Sequence, residues 1–482
     1  MRVQRAHTDS LPIRSLGQDM LIGEIHPIRD SDAFIVSIQP PQTSEHLKRA
    51  TCDIVLVVDV SGSMSSAAPL PEADDEDEKE AAGLSVLDQV KHAARTILET
   101  LGPRDRLGII VQELTIMSSA EKKATWQRIE KLHDEASTNL WAGIRTGLDL
   151  FSKTPLVDNV QGLYLLTDGM PNHMCPPQGY VAKLGPMLHS AEQERSSITT
   201  IHTFGFGYQI RSELMQSIAE VGNGSYAFIP DAGMIGTAFV HSVANLYSTL
   251  GTSAMLEVNL SKDVRLEAKA GMSLTTGERG LLLLKLGNLQ YGQSRDLVFV
   301  CPKGIPEDTV ITATLNYTVA DGSTRALQAQ AKFWDRTVMT PSLVEYHYRR
   351  AQICGLISSL FPLKHNGEHT TTNDKDCLVR AQDALNTITA NMQTSPTITG
   401  IASSLHRVTG TNFTITYMFR TCRYSAITLL VAFFHYHMLI YHSVALGGNH
   451  LGWFGACIPD YNAVLREMDE EAAECFGLME RT

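Results

Sequence analysis

Cysteine is sparse in this chain and never falls in a paired motif. Eight cysteines are scattered over 482 residues, and no Cys-x-x-Cys occurs. A structural zinc site is therefore not expected, and the irregular usage fits a reducing compartment. Net positive charge is lacking too: 40 basic against 52 acidic residues give a formal charge of −12. That argues against a general nucleic-acid binder, which needs a basic surface to displace counterions. Residues Met1 to Met20 are polar and carry no apolar run. No secretory signal is visible, so a cytoplasmic location is expected. No Gly-Lys-Ser/Thr phosphate loop exists, and Gly205-Phe-Gly207 lacks the third glycine of a dinucleotide turn because position 210 is Ile. No Gly-x-Ser-x-Gly elbow surrounds Ser61 or Ser63. No side chain near them forms an evident nucleophile and base pair. An enzyme is not expected.

What is present is concentrated at Ile54 to Ser65, which read Ile-Val-Leu-Val-Val-Asp-Val-Ser-Gly-Ser-Met-Ser. A continuous aliphatic run fits a central strand buried on both faces. It stops at Asp59, and the hydroxyls Ser61, Ser63 and Ser65 follow, with Gly62 among them. Side chains two apart on an extended segment point the same way. Asp59, Ser61 and Ser63 can thus converge from one turn, at the strand end where open α/β sheets bind ligands. Oxygen-only ligands suit Mg²⁺, Mn²⁺ or Ca²⁺.

The pattern Asp59-x-Ser61-x-Ser63 resembles the metal-ion-dependent adhesion site of von Willebrand factor type A domains. Thr138, in Ala-Ser-Thr-Asn-Leu-Trp, and Asp168, in Leu-Leu-Thr-Asp-Gly-Met-Pro-Asn, match that family's two later motifs in the expected order. The resemblance implies a doubly wound, mainly parallel α/β sheet. It implies a Mg²⁺ ion (or Mn²⁺ or Ca²⁺) held by Asp59, Ser61, Ser63, Thr138 and Asp168, with one position left for a Glu or Asp of a partner protein. The expected role is metal-dependent protein binding. The alternatives are a scaffold with a metal-free or defective site, and an accessory subunit of a larger enzyme or ATPase assembly.

The rest of the chain divides by pattern. Residues 1–50 form an amino-terminal segment with a strand candidate at Ala33 to Ile38. Residues 51–250 alternate strands and helices, as a parallel sheet requires. Helices are expected at Leu84 to Leu101, Ala120 to His133, after Thr138, at Glu213 to Glu220 and at Gly233 to Leu250. Residues 251–338 hold strands that alternate apolar and polar positions, as in an antiparallel β-sandwich. Residues 339–395 return to helix, at Tyr346 to Leu360 and Lys375 to Met392. Residues 396–482 form a tail of uncertain structure. Within the tail, Ala426 to Leu446 is nearly continuous apolar sequence, interrupted by His435, His437 and His442. It reads as a buried or interface helix, a membrane anchor of about 20 residues, or a translated intron or frameshift. An anchor there is the one route to a membrane.

Two local features stand out. Leu107 to Ile116 contains no turn residue after Gly108. The hairpin usual in the family is thus expected to be missing, with its edge strand lost or fused, or a coding segment is absent. Glu72 to Glu80 is an acidic insert beside the proposed site. Such runs stay solvated, although a carboxylate from this one could occupy the open metal position.

Overall fold

The computed structural model describes residues 21–370 except 29–30, 42–49, 68–83, 111, 135–137, 155–158, 169–170, 196–198, 208–209, 230–234, 263, 265, 269–273, 277–280, 320–321, 336 and 360, and in addition Val379, Arg380 and Asp383. The acidic insert, most of the expected helix at Lys375 to Met392, the whole tail and its apolar stretch lie outside the described residues. Among the described residues no helix is long and apolar enough to cross a membrane.

The chain begins with two antiparallel strands, β1 (Ile22–Ile28) and β2 (Ala33–Gln39). It then enters an α/β unit. Strand β3 (Cys52–Val58) leads through a 3-10 turn (Gly62–Ser65) to helix α1 (Val86–Thr100). Ser85 starts α1 with a capping box: its Oγ accepts the Asp88 amide at 3.1 Å, and the Asp88 carboxylate accepts the Ser85 amide at 3.0 Å. Strands β4 (Arg106–Ile109) and β5 (Gln112–Ile116) precede helices α2 (Ser119–Glu130) and α3 (Leu140–Lys153). Then come β6 (Val160–Thr167), α4 (Tyr180–Arg195), β7 (Thr199–Phe206), α5 (Ser212–Val221), β8 (Tyr226–Ile229) and α6 (Ile235–Tyr247).

The six strands lie in the order β5-β4-β3-β6-β7-β8, all parallel except β5. Both faces are covered, and β3 shows how. Ile54 and Leu56 pack with α1, α6 and Phe239 on one face. Val55 and Val57 pack with α3, α4 and α5 on the other. All but one of the seven side chains of this strand are buried, and from Ile54 to Val58 it reads as an unbroken apolar run. Burial of each of the four is worth roughly 1.5–3 kcal/mol, an upper figure against a compact unfolded chain.

The structure corrects the expectation at Leu107 to Ile116. The edge strand is neither lost nor fused: the chain reverses between Ile109 and Gln112, and β5 pairs with β4, Arg106 opposite Ile116 and Leu107 opposite Thr115. Turn chemistry is absent, but Leu107, Ile109 and Met117 are all buried. Leu107 and Ile109 of β4 join the core on one face and Leu114 of β5 packs against the core on the other, which fixes the register where the turn sequence does not. Helix α4 had no expectation in the sequence. Pro186 lies inside it and interrupts the periodicity that marks a helix.

From Thr249 the chain builds antiparallel strands: β9 (Thr249–Leu260), β10 (Glu267–Ala268), β11 (Leu274–Thr276), β12 (Leu282–Gln290), β13 (Arg295–Val300), β14 (Val310–Val319) and β15 (Thr324–Lys332). They form a sheet β11-β12-β9-β14-β15 and, with the amino-terminal strands, a sheet β1-β2-β13-β10. One apolar core lies between the two sheets. It contains Phe34, Val36 and Ile38 of β2, Leu256 and Val258 of β9, and Ile311 and Leu315 of β14. Phe34 stacks on Phe299 at 5.1 Å. The α/β unit is thus inserted between β2 and β9, and the Ala50 amide donates to the Tyr247 carbonyl at 3.1 Å where the chain enters and leaves it. Helix α7 (Pro341–Ser359) covers the outer face of the four-stranded sheet through Ala351, against Ile35 and Val298.

Candidate metal centre

Strand order decides where polar groups can gather. From β3 the chain reaches β4 on one side, while β6 lies on the other. The β3/β6 boundary is therefore the switch point of the sheet, open at its carboxyl edge. Residue 59 follows β3 and residue 168 follows β6, and Val58 is in register with Leu166. The Asp59 amide continues the ladder, donating to the Leu166 carbonyl at 2.8 Å.

Four of the five expected residues form one hydrogen-bonded group. The Asp59 carboxylate accepts the Ser61 amide at 2.9 Å. Ser61 Oγ and Ser63 Oγ are 3.1 Å apart, and Ser63 Oγ donates to Asp168 Oδ1 at 2.9 Å. A hydroxyl has one proton, so Ser61 is the donor to Ser63. The fifth, Thr138, is buried just ahead of α3, and its backbone is tied to the loop after Asp168, not to the other four side chains. Its amide donates to Asn172 Oδ1 at 3.2 Å, and its carbonyl accepts the amides of Asn172 and His173. The Asn139 side chain caps α3 by accepting the Ala142 amide at 3.0 Å.

Two contributors had not been singled out from sequence. Thr167 Oγ1 donates to Asp59 Oδ2 at 2.5 Å. Asn172 clasps Thr138 to the loop after Asp168. Both adjoin the third motif, in Thr167-Asp-Gly-Met-Pro-Asn172, and that adjacency is the signal that could have found them.

The electrostatics are lopsided. Asp59 and Asp168 are 9% and 8% exposed. Among the described residues no Lys, Arg or His side chain makes an ion pair with either. Burial, with the Asp59 charge beside it, pushes the Asp168 carboxyl up to about 6 against the opposing Ser63 hydrogen bond. Two nearly buried carboxylates facing hydroxyl groups make a negative, oxygen-only site. Among the described residues no three His, Cys, Asp or Glu side chains group as a metal cluster. The donors gathered at this edge are two carboxylates and the hydroxyls of Ser61, Ser63 and Thr167.

A buried histidine of β7 and the cysteine of the loop after Asp168 are both hydrogen-bonded within the chain. His202 is buried, its ring nitrogens 3.0 Å from Ser225 Oγ and 3.1 Å from Thr200 Oγ1. Burial pushes it down to about 4, so it stays neutral. Cys175 is exposed; its Sγ donates to the Pro171 carbonyl at 3.5 Å and accepts from Tyr180 Oη at 3.6 Å. His435, His437 and His442 lie outside the described residues.

Comparison with known proteins bears on the fold. The family model described as von Willebrand factor type A domain matches residues 77–228. That stretch includes Thr138 and Asp168 and begins after the Asp59–Ser63 turn. The uncharacterized protein sll0103 of Synechocystis is 25% identical over 276 residues, 53% of this chain and 58% of that protein. The uncharacterized YfbK of Escherichia coli is 25% identical over 184 residues, 37% of this chain and 28% of that protein. The chain thus spans less than two thirds of either relative. A solved von Willebrand factor type A structure from Catenulispora acidiphila has a TM-score of 0.54 at 15% identity, over 81% of this chain and 90% of that one; this likeness is one of fold. With its mixed, mostly parallel sheet and the match over residues 77–228, the chain carries a von Willebrand factor type A domain.

Proposed function

We propose that this protein binds a partner protein through a divalent cation at the carboxyl edge of β3 and β6. Domains of this family are in general interaction modules. The cation is Mg²⁺ or, by similar chemistry, Mn²⁺ or Ca²⁺. Asp59, Ser61, Ser63, Thr138 and Asp168 would hold it, and it would supply a position for a Glu or Asp of the partner. The observation that carries this reading is the charge state of the edge: two nearly buried carboxylates share a hydroxyl network with no protein cation paired to them among the described residues. Asp59 and Asp168 bring the site with a divalent ion to neutrality and no further, so an incoming carboxylate would meet an open coordination position without a surplus of negative charge to repel it. Thr167 and the Ser61 amide hold the Asp59 carboxylate in place, and the Asn172 side chain fixes the Thr138 segment. We assign no catalytic step. We read the two antiparallel sheets as a sandwich on which the domain is mounted, and we place the protein in the cytoplasm.

The test uses the metal alone. Mn²⁺ at one hundred times its Kd stabilises the folded protein by about 2.7 kcal/mol through mass action. Thermal unfolding with and without Mn²⁺ should show that gain in the wild type and its loss in Asp59→Ala and Ser63→Ala. Equal Mn²⁺ stabilisation of wild type and Asp59→Ala would sink the assignment.

A further inference from the structure

Helix α7 packs on the four-stranded sheet through Ala351 and ends at Ser359, and residues 361–370 lie on the α/β unit. Residues 361–370 close on themselves. The Lys364 amide donates to the Glu368 carbonyl at 2.7 Å, Gly367 to Lys364 at 2.9 Å and Thr370 to Pro362 at 3.0 Å. This compact turn sits on the start of α4 and on α5. Glu368 is 7% exposed, and its Oε1 accepts the amide of Tyr180, the first residue of α4, at 2.6 Å. A carboxylate at that place satisfies an amide with no partner inside the helix and meets the positive end of the helix dipole. On α5, the His369 amide donates to Ser217 Oγ at 2.8 Å, and His369 Nε2 lies 2.7 Å from Glu220 Oε2. The fit is close. At Gly179 (φ +96°) an added Cβ would collide with Asn366 Nδ2 and lie 2.8 Å from Glu368 Oε1; at Gly367 (φ +83°) it would lie 2.9 Å from Val181 Cγ1.

The place gripped matters because α4 begins where the third motif's loop ends. Tyr180 Oη donates to Cys175 Sγ at 3.6 Å, and Cys175 Sγ donates to the Pro171 carbonyl at 3.5 Å. The Gly179 amide donates to the Pro176 carbonyl at 2.9 Å. The next residues, Asn172 and His173, bind the Thr138 backbone. Residues 171–180 are therefore fixed at one end by Thr138 and at the other by Glu368, with internal bonds between.

We infer that residues 361–370 are a strap whose seating on α4 and α5 holds the 171–180 loop, and through Asn172 the cation site, in its present form, so that lifting the strap weakens the site. The consequence for the site rests on the metal reading above; the hold on the loop does not. Binding linkage makes the effect reciprocal: a cation that needs the seated strap must also steady it.

Hydrogen exchange of the full chain, read peptide by peptide beside a Mn²⁺ titration, tests this. Glu368→Ala removes the grip on Tyr180, and Gly367→Val pushes the turn off Val181 without altering Glu368. Both variants should speed exchange over residues 171–180 and weaken Mn²⁺ binding by roughly three- to thirtyfold, the range for one lost helix cap. In the wild type, Mn²⁺ should slow exchange over 361–370, an arm that stands even if a variant fails to fold. Unchanged exchange over 171–180 overturns the strap. Faster loop exchange with unaltered Mn²⁺ affinity also overturns it, leaving a fastener for α4 only. A wild type that takes up no Mn²⁺ fails the metal reading itself, separately from the loop result, and the inference about the site falls with it.

Discussion

Strand β3 carries a carboxylate at each end, and the protein treats them in opposite ways. At the amino end Asp53 is fully buried and met in full. Arg106 Nε donates to it at 2.7 Å, its Nη2 adds a second bond, and Asn159 Nδ2 donates at 2.8 Å. At the carboxyl end Asp59 receives a threonine hydroxyl and one amide, and no charged donor among the described residues. The first arrangement is complete within the chain. The second lacks positive charge beside two carboxylates. A buried charge that is paired is a structural joint; one served only by neutral donors is suited to a cation from outside.

The contrast breaks most visibly on removal of the arginine. Arg106→Ala leaves Asp53 buried and unpaired and should cost about 3–5 kcal/mol in denaturant unfolding. Asp59→Ala, without added metal, loses two hydrogen bonds from neutral donors but relieves repulsion with Asp168, and should cost about 1 kcal/mol or less. Equal losses at the two ends would remove the distinction.

The same logic extends to the two kinds of sheet. Leu165, on β6, is fully buried within a sheet covered on both faces. Leu165→Ala should cost about 2–5 kcal/mol by transfer and cavity formation. Along β14 buried positions alternate with half-buried ones, and Thr314→Ala, at one of the latter, should stay within about 0.5 kcal/mol. A sheet buried on both faces can present polar atoms only at its edges. The antiparallel sheets spread them along open faces, which is why the concentrated oxygen cluster belongs to the parallel sheet.

That difference also governs what sequence discloses. Asp59, Ser61 and Ser63 are legible together because they share one turn after an apolar run. Asp168 is legible because it ends a second run. Their union depends on β3 and β6 lying side by side, and the alternation of strands and helices fixes that only as a class. The bond from Thr167 to Asp59 spans the same gap and leaves no local trace. Pro186 hides α4, and Pro27 obscures β1, an edge strand where proline is tolerated. The short β4–β5 reversal was misread because burial of Leu107 and Ile109, not turn residues, sets it. Glu368 has no local signal at all: it lies 188 residues from Tyr180 in sequence.

A third carboxylate, on α5, is intermediate between Asp53 and Asp59 in how it is met, and its behaviour with pH sharpens the comparison with the smallest effect. Glu220, on α5, faces His369 Nε2, while His369 Nδ1 lies 2.8 Å from the Phe361 carbonyl. A ring that carries a proton on each nitrogen can donate to both at once. Burial alone would lower the His369 pKa, but the Glu220 hydrogen bond and charge, with the Phe361 carbonyl, raise it overall. A histidine raised on folding contributes stability that is complete below its unfolded value of about 6.5 and is lost as pH climbs through the folded value. His369→Ala should therefore destabilise the protein more at pH 6 than at pH 9, by about 1 kcal/mol or less for a partly exposed pair. Exchange over residues 361–370 should quicken at high pH beyond its intrinsic base dependence in the wild type, and not in His369→Ala. The Arg106–Asp53 joint should show no such change, since its guanidinium keeps its proton throughout. A His369→Ala penalty that grows from pH 6 to pH 9 would mean the ring is neutral in the fold, and Glu220 would then join Asp59 as a carboxylate without a protein cation.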